Sequence, residues 1–279
     1  MKMSELKGKI DFTLFVSVKN ANPNGDPLNG NLPRVDLNGY GEMSDVCIKR
    51  KIRNRLQDFG QKLFVQTEDR SDDGCKSLKD RADKCEELNQ KNIDRDTYAK
   101  IACREWIDVR MFGQVFSFES SKNSGFGVRG PVSIHQATSL SPVDVISMQI
   151  TRSVNLNTGD KRSTMGTKHR IGFAVYKIMG SVNVQLAEKT GFSQEDADLL
   201  KEALKTLFEN DSSSARPEGS MEVCRMYWWQ HNEKTPSVPS VKIQRAFTYD
   251  KIDHPEKFDD YNITWELDGC IKPEVFNFV

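Results

Sequence analysis

Residues 10–18, IDFTLFVSV, alternate in polarity and run into the turn-rich loop NANPNGDPLNGN (residues 20–31); SDVCIKRKIRNRL (residues 44–56) then carries a helical pattern. The alternation puts Ile10, Phe12, Leu14, Val16 and Val18 on one face of a first strand. In the helix, at about 100° per residue, Ile48, Ile52 and Leu56 share one side, while Arg50, Arg53 and Gln57 cluster roughly opposite, flanked by Lys49 and Asn54. Lys51 and Arg55 blur the apolar border. Ser44 is a good N-cap, and Asp45 in the first turn favours the helix dipole. A cationic stripe on a helix anchored by its apolar face suits a polyanion binder, and a solvated basic face shows the same pattern.

Working outward, residues 68–96 are dense in charge of both signs, with only Leu78, Ala82, Cys85 and Leu88 marking a helical stripe; this predicts a mobile or peripheral helical insertion. A short helix over residues 97–104 is expected to lead into a second strand between Trp106 and Phe118. The glycine-rich SKNSGFGVRGPVSIHQA (residues 121–137) reads as a tight backbone approach feeding a strand through Val132, Ile134 and Gln136. Extended arms at residues 144–150 and 171–186 flank the polar, basic NLNTGDKRSTMGTKH (residues 155–169), which predicts a projecting hairpin. Ser193, with Asp196 at the third position, caps a helix whose apolar face is Leu199, Leu200, Ala203, Leu204, Leu207 and Phe208. Residues 221–230, MEVCRMYWWQ, form a last strong strand, and the proline-punctuated tail from Thr235 offers at most an edge strand near residues 262–267. The order strand, helix, strand, strand, helix, strand with two insertions predicts an α+β fold on the ferredoxin-like or RRM-like plan.

The 279 residues balance 40 Lys plus Arg against 40 Asp plus Glu, so a globally basic nucleic-acid binder is excluded and only segregated charge could serve that function. Segregation is present. Lys122, Arg129, Arg152, Lys161, Arg162, Lys168 and Arg170 face only Glu119, Asp144 and Asp160 over residues 119–170, and acids predominate over residues 188–260. A basic and an acidic side suit RNA binding and head-to-tail contact between copies. Cys47, Cys75, Cys85, Cys103, Cys224 and Cys270 form no CxxC pair and the four histidines are scattered, so free thiols and no metal site or cofactor are expected. Glu5 and Asp11 interrupt the N-terminus where a signal peptide needs an apolar run, and no stretch approaches the roughly 20 apolar residues of a membrane span. A cytoplasmic protein is expected.

With the NPNGDPLNGN loop, the SDVCIKRKIRNRL helix and the GVRGPVSI segment in view, the chain resembles the backbone subunit of type I CRISPR Cascade complexes. It is most similar to the type I-C branch, within the RAMP superfamily, over nearly its whole length. The resemblance implies residues 1–279 as one RRM-like palm with insertions: a helical finger at residues 60–104 and a thumb hairpin at residues 139–170. It further implies a non-catalytic subunit that polymerises along a CRISPR RNA, gripping its backbone while thumbs kink it at intervals, so that intervening bases pair with target DNA. Its partners would be CRISPR RNA, target DNA through the guide, further copies of itself and other Cascade subunits. A subunit that accepts any guide sequence should contact phosphate and sugar, as Lys, Arg, Ser, Asn and backbone amides do.

On this basis Lys49, Arg50 and Arg53 are candidate phosphate ligands, beside Ser44, Asn20, Asn22 and Asn24 of the loop, although Ser44 also suits a cap and the asparagines are ordinary turn formers. Arg129, next to Gly130, and Gln136 are further RNA candidates. In the hairpin Arg152, Thr164, Lys168 and His169 offer polar contacts, and Met165 is either an apolar wedge between bases or a chance exposed methionine. The alternative class is an endoribonuclease of the same superfamily, whose type III members cut with a loop aspartate; Asp26 and Asp36 sit in the comparable loop. His135 and His169 have no partner visible in sequence that would fix either as a general acid or base. A single-strand binder of RRM type unrelated to CRISPR is a third possibility.

Overall fold

The computed structural model describes residues 4–90, 93–117, 125–151 and 165–279. β1 (Ile10–Ala21) is followed by a loop folded on itself through the two-residue ladder β2 (Gly25–Asp26) and β3 (Leu32–Pro33), then by β4 (Tyr40–Met43) and α1 (Asp45–Asp58). Next come α2 (Leu78–Lys84), α3 (Arg95–Glu105), α4 (Ile107–Phe112), and the hairpin of β5 (Gly113–Phe116) with β6 (Phe126–Arg129). β7 (Val132–Ile134), β8 (Ala137–Pro142), β9 (Val145–Thr151) and the long β10 (Met165–Val182) precede α5 (Val184–Thr190), α6 (Gln194–Lys205) and β11 (Met221–Gln230). The tail contributes α7 (Ser240–Arg245), the small ladder of β12 (Phe247–Thr248) with β13 (Thr264–Trp265), and β14 (Glu274–Asn277).

The fold is α+β. Its main sheet is antiparallel and runs β14-β11-β1-β10-β8-β4, with β7 and β9 also pairing with β10. β1 lies at the centre, so both of its faces are covered. Ile10, Phe12, Leu14, Val16 and Val18 face a core completed by Ile48, Ile52 and Leu56 of α1 and by Ala197, Leu200, Ala203 and Leu204 of α6. Each large apolar side chain fully buried in this way stabilises the fold by about 1.5–3 kcal/mol, which is what seats α1. Its cap forms as expected, with Ser44 Oγ accepting from Cys47 N, and the Ser193–Asp196 pair makes a reciprocal capping box on α6.

Three sequence expectations are corrected. Residues 107–112 form a helix where a strand was predicted. Ile107 and Met111, four apart, enter the main core, while Trp106 and Val109 enter a satellite core with Phe64, Tyr98, Ile101 and Phe116; a helix apolar on two sides loses its helical period. That satellite core, with Phe126 and Val128 packed on it, carries the insertion well beyond residue 104, and it is a packed unit. The tail is more than an edge strand. Ile243, Phe247, Phe258, Tyr261 and Ile263 cover the opposite face of the sheet over Phe15, Val175, Tyr227 and Trp229. The strand predicted near residues 262–267 pairs with β12 rather than with the main sheet, whose edge there is β14.

Candidate nucleic-acid interface

The loop after β1 is tied together by its own asparagines. Asn24 Oδ1 accepts from Ser44 N at 2.8 Å and Ser44 Oγ at 2.9 Å, so the loop locks onto the helix start. Asn22 is buried and donates to Asn31 O at 2.8 Å; its Oδ1 has no partner among the described residues. Asn20 is exposed at φ 54°, a left-handed conformation that asparagine tolerates better than most residues. The two loop aspartates are likewise engaged. Asp26 accepts from Leu28 N and pairs with Arg34, both at 3.2 Å, and Asp36 Oδ1 accepts from Asn38 N and Tyr40 N, both at 2.8 Å.

The cationic side of α1 faces the insertion. Arg53 Nε donates to Asp108 at 2.9 Å and its guanidinium lies 4.9 Å from the Phe112 ring centre, leaving the side chain 12% exposed. Arg50 donates to Val65 O at 3.0 Å, and burial, then the neighbouring Arg53, pushes its pKa down. Among the described residues Lys49 makes only the surface pair with Asp45, at 3.0 Å. Lys51 and Arg55, which blurred the apolar border, are buried: Lys51 pairs with Asp211, and Arg55 bonds Thr206, Asp58 and Glu209.

Arg129 ends β6, exposed, opposite Gly113. The close approach read from this segment is backbone on backbone: a Cβ on Gly130 would lie 2.4 Å from Gly113 N. Gln136 is exposed between β7 and β8.

The β9–β10 pairing extends the main sheet along the N-terminal part of β10, and every residue of β9 after Val145 is exposed. One side carries Ile146, Met148 and Ile150 opposite Arg170, Lys168 and Gly166. The other carries Ser147, Gln149 and Thr151 opposite His169, Thr167 and Met165. Ser147 Oγ and His169 Nδ1 are 2.8 Å apart, and Met165 is 59% exposed. The pairing spans residues 145–151 and 165–171, while residues 139–142 belong to the main sheet through β8. Arg152 and Thr164, with Lys161 and Arg162, lie outside the described residues. Lys49, Arg50 and Arg53 thus share α1, whose cap Ser44 is bonded to Asn24 of the loop, and on β10 His169 and Met165 share one side while Lys168 lies on the other.

Sequence reasoning missed two features. Asp108, fully buried, accepts from Phe64 N at 2.7 Å and Val65 N at 3.0 Å as well as from Arg53, and an acid inside an apolar run was its only signal. Lys177 is the other. It interrupts the apolar IGFAVYKIMG and lines a groove with Gln136, Thr138, Tyr40, Tyr249 and Lys251. All six cysteines are free thiols, and among the described residues no group of three His, Cys, Asp or Glu could hold a metal ion and no helix is long and apolar enough to cross a membrane.

Sheet, loop-helix unit and projecting strands together define an α+β protein that offers cations from several separate elements. A family profile described as CRISPR-associated protein Cas7 matches residues 8–266. The chain is 30% identical over 223 residues to the CRISPR-associated protein Cas7 of Haloferax volcanii, an alignment covering 72% of this chain and 64% of that relative. Among solved structures, a chain of a "CRISPR RNA-guided surveillance complex, pre-nicking" aligns with TM-score 0.49 at 16% identity, covering 79% of this chain and 77% of that one. A chain of a "CRISPR RNA-guided surveillance complex" aligns with TM-score 0.43 at 14% identity, covering 79% and 68%. The chain belongs to the Cas7 family of CRISPR-associated proteins.

Proposed function

We propose that this chain is a CRISPR RNA-binding structural subunit that polymerises along the guide RNA, forms the backbone of a type I, I-C-like surveillance complex and presents the guide for pairing with target DNA. The observation that carries this reading is the family match over residues 8–266. Support comes from the order β11-β1-β10-β8 with α1 and α6 on one face, read as an RRM-like palm, from the satellite core around Phe64 and Trp106, read as the finger, and from the β9–β10 strands, read as the thumb. Lys49 and Arg50 on α1, its cap Ser44, the loop asparagines, Arg129, and on the thumb His169 and Met165 of one side or Lys168 of the other are the proposed guide contacts, with Arg53 holding the helix to the finger.

The chain spans 64% of the length of its Haloferax relative, and its partners are proposed on the same footing: guide RNA, target DNA, further copies and other subunits of the complex. Because a head-to-tail interface need not close on itself, mixing the protein with single-stranded RNAs of increasing length should give multimers whose mass grows with RNA length. One fixed stoichiometry at every length, measured by light scattering, rules out polymerisation. The subunit is proposed as non-catalytic. Asp26 and Asp36 are both engaged within their own loop. Incubation with repeat and target RNA, with and without divalent metal, tests this directly, and cleavage would move the protein to the endoribonuclease class.

A further inference from the structure

On the sheet face opposite α1 and α6, a groove of about 360 Å³ opens between β8, β10 and the tail. That volume lies within the roughly 300–1,000 Å³ of small-ligand sites. Lys177 projects from β10 on this side. Its ammonium donates to Gln244 O at 2.6 Å and lies 4.5 Å from the centre of the Phe247 ring, and among the described residues no carboxylate pairs with it. Burial alone lowers its pKa to about 8. A lysine that loses this much water is ordinarily paired with an anion, since a carbonyl and a ring replace only part of its hydration. Lys251 adds a second, exposed cation to the same groove. The groove's one acid is Asp36, whose Oδ1 is taken by the Asn38 and Tyr40 amides.

Beside these charges the lining offers two tyrosines and two amides, with the hydroxyls of Thr138 and Ser139 and the apolar Leu140 and Met179 between them. Tyr40 and Tyr249 are near enough for the Tyr40 phenol to add to the burial that raises the Tyr249 pKa, and Tyr249 is 38% exposed. Gln136 and Asn38, both exposed, supply donors and acceptors at the margin. Cations for phosphate, flat rings for a base and amides for a base edge are the set that holds single-stranded nucleic acid; an acidic peptide would use the cations and leave the rings idle.

We propose that this groove holds one unpaired nucleotide of single-stranded RNA, with its phosphate on Lys177 and Lys251, its base against Tyr40 and Tyr249, and the base edge at Gln136 and Asn38. The site is separate from α1 and from the projecting strands, and it rests on the RNA-binding reading above. The test uses the full chain and a short single-stranded RNA carrying photoreactive thiouridine, with crosslinked peptides mapped by mass spectrometry. Crosslinks at Tyr40 or Tyr249 are expected, and Tyr249→Ala should weaken binding on the order of tenfold. Lys251→Gln, an exposed change that leaves folding alone, and Lys177→Gln should each lower the log-log salt slope by about 0.7, and Lys177→Arg should restore it. RNA bound at wild-type affinity by all these variants, with crosslinks only on α1 or the hairpin, overturns the groove and leaves the RNA reading standing. No RNA binding by the wild-type chain overturns both. Uridine monophosphate bound in a Lys177-dependent way, without an RNA crosslink in the groove, overturns the proposal in favour of a free-nucleotide pocket.

Discussion

Arg53 Nε and the fully buried Asp108 carboxylate meet at 2.9 Å, and the same carboxylate accepts the backbone N–H groups of Phe64 and Val65. One acid of α4 therefore fastens α1 to the first residues of the satellite unit. Removing one partner of a buried pair leaves the other desolvated and alone, a cost of about 3–5 kcal/mol. Asp108→Ala should accordingly lower the unfolding free energy from urea titration by that much, and the midpoint with it. An unchanged midpoint would mean that the pair is solvent-bridged and contributes little.

The same geometry separates Lys49, Arg50 and Arg53 of the helix. Arg53→Ala should cost stability, because it strands Asp108. Lys49→Ala breaks only a surface i,i+4 pair worth about 0.3–0.5 kcal/mol and should act on RNA instead. Guide affinity should then weaken equally for all sequences, with the log-log salt slope reduced by about 0.7 per lost phosphate contact. A Lys49→Ala, Arg50→Ala double variant with unchanged affinity and slope removes the helix from the interface.

Much of this is legible in the sequence itself. β1, β11, the Ser44 cap and the Ser193–Asp196 box are local signals, alternation or a side chain reaching a nearby amide, and such signals survive in one dimension. The helix at residues 107–112 was not legible, because Ile107 and Met111 serve one core while Trp106 and Val109 serve another. Phe247, Phe258, Tyr261 and Ile263 reach the far sheet face from a segment with no period to betray it. The charged helix shows the limit most plainly. Lys51, Arg53 and Arg55 look alike in sequence, and only the positions of Asp211, Asp108 and Glu209 turn them into internal ties.

Lys177 predicts a pH dependence of definite sign. Its folded pKa of about 8 lies below the ordinary 10.5, so between these values the unfolded chain holds a proton that the native chain has released. Stability from this group rises with pH across that window. The melting temperature of the wild type relative to Lys177→Met should therefore shift in favour of the wild type as pH increases from 8 toward 10. A constant difference would show that the ammonium is better solvated than its surroundings imply.

Gly130 tests the backbone crossing. A Cβ there would sit 2.4 Å from Gly113 N and 2.5 Å from Met111 O, backbone atoms that no rotamer change can move. Gly130→Ala should lower thermal stability more than the ±0.5 kcal/mol or so of an ordinary surface substitution. Gly127, which like Gly130 is not at positive φ but has nothing nearer than 3.9 Å to its Cβ position, is the comparison that separates steric clash from simple loss of a glycine.

The two faces of the projecting strands give the last prediction. Met165 lies opposite Thr151 on the side shared with His169, whereas Met148 lies opposite Lys168 on the side shared with Ile146 and Ile150. Both methionines are exposed, and an apolar side chain can unstack a base step only on the side that meets the RNA. If the Met165 side meets the guide, Met165→Ala should abolish the regularly spaced reactive positions in a nuclease footprint, Met148→Ala should leave them, and neither should move the melting temperature appreciably. Met165→Asp should do the same as Met165→Ala and also weaken binding, because its carboxylate repels phosphate. A footprint that stays periodic in Met165→Ala and fades in Met148→Ala would turn the hairpin over and give the guide contact to the apolar face with Lys168 and Arg170. A periodic footprint in both would make the methionines bystanders.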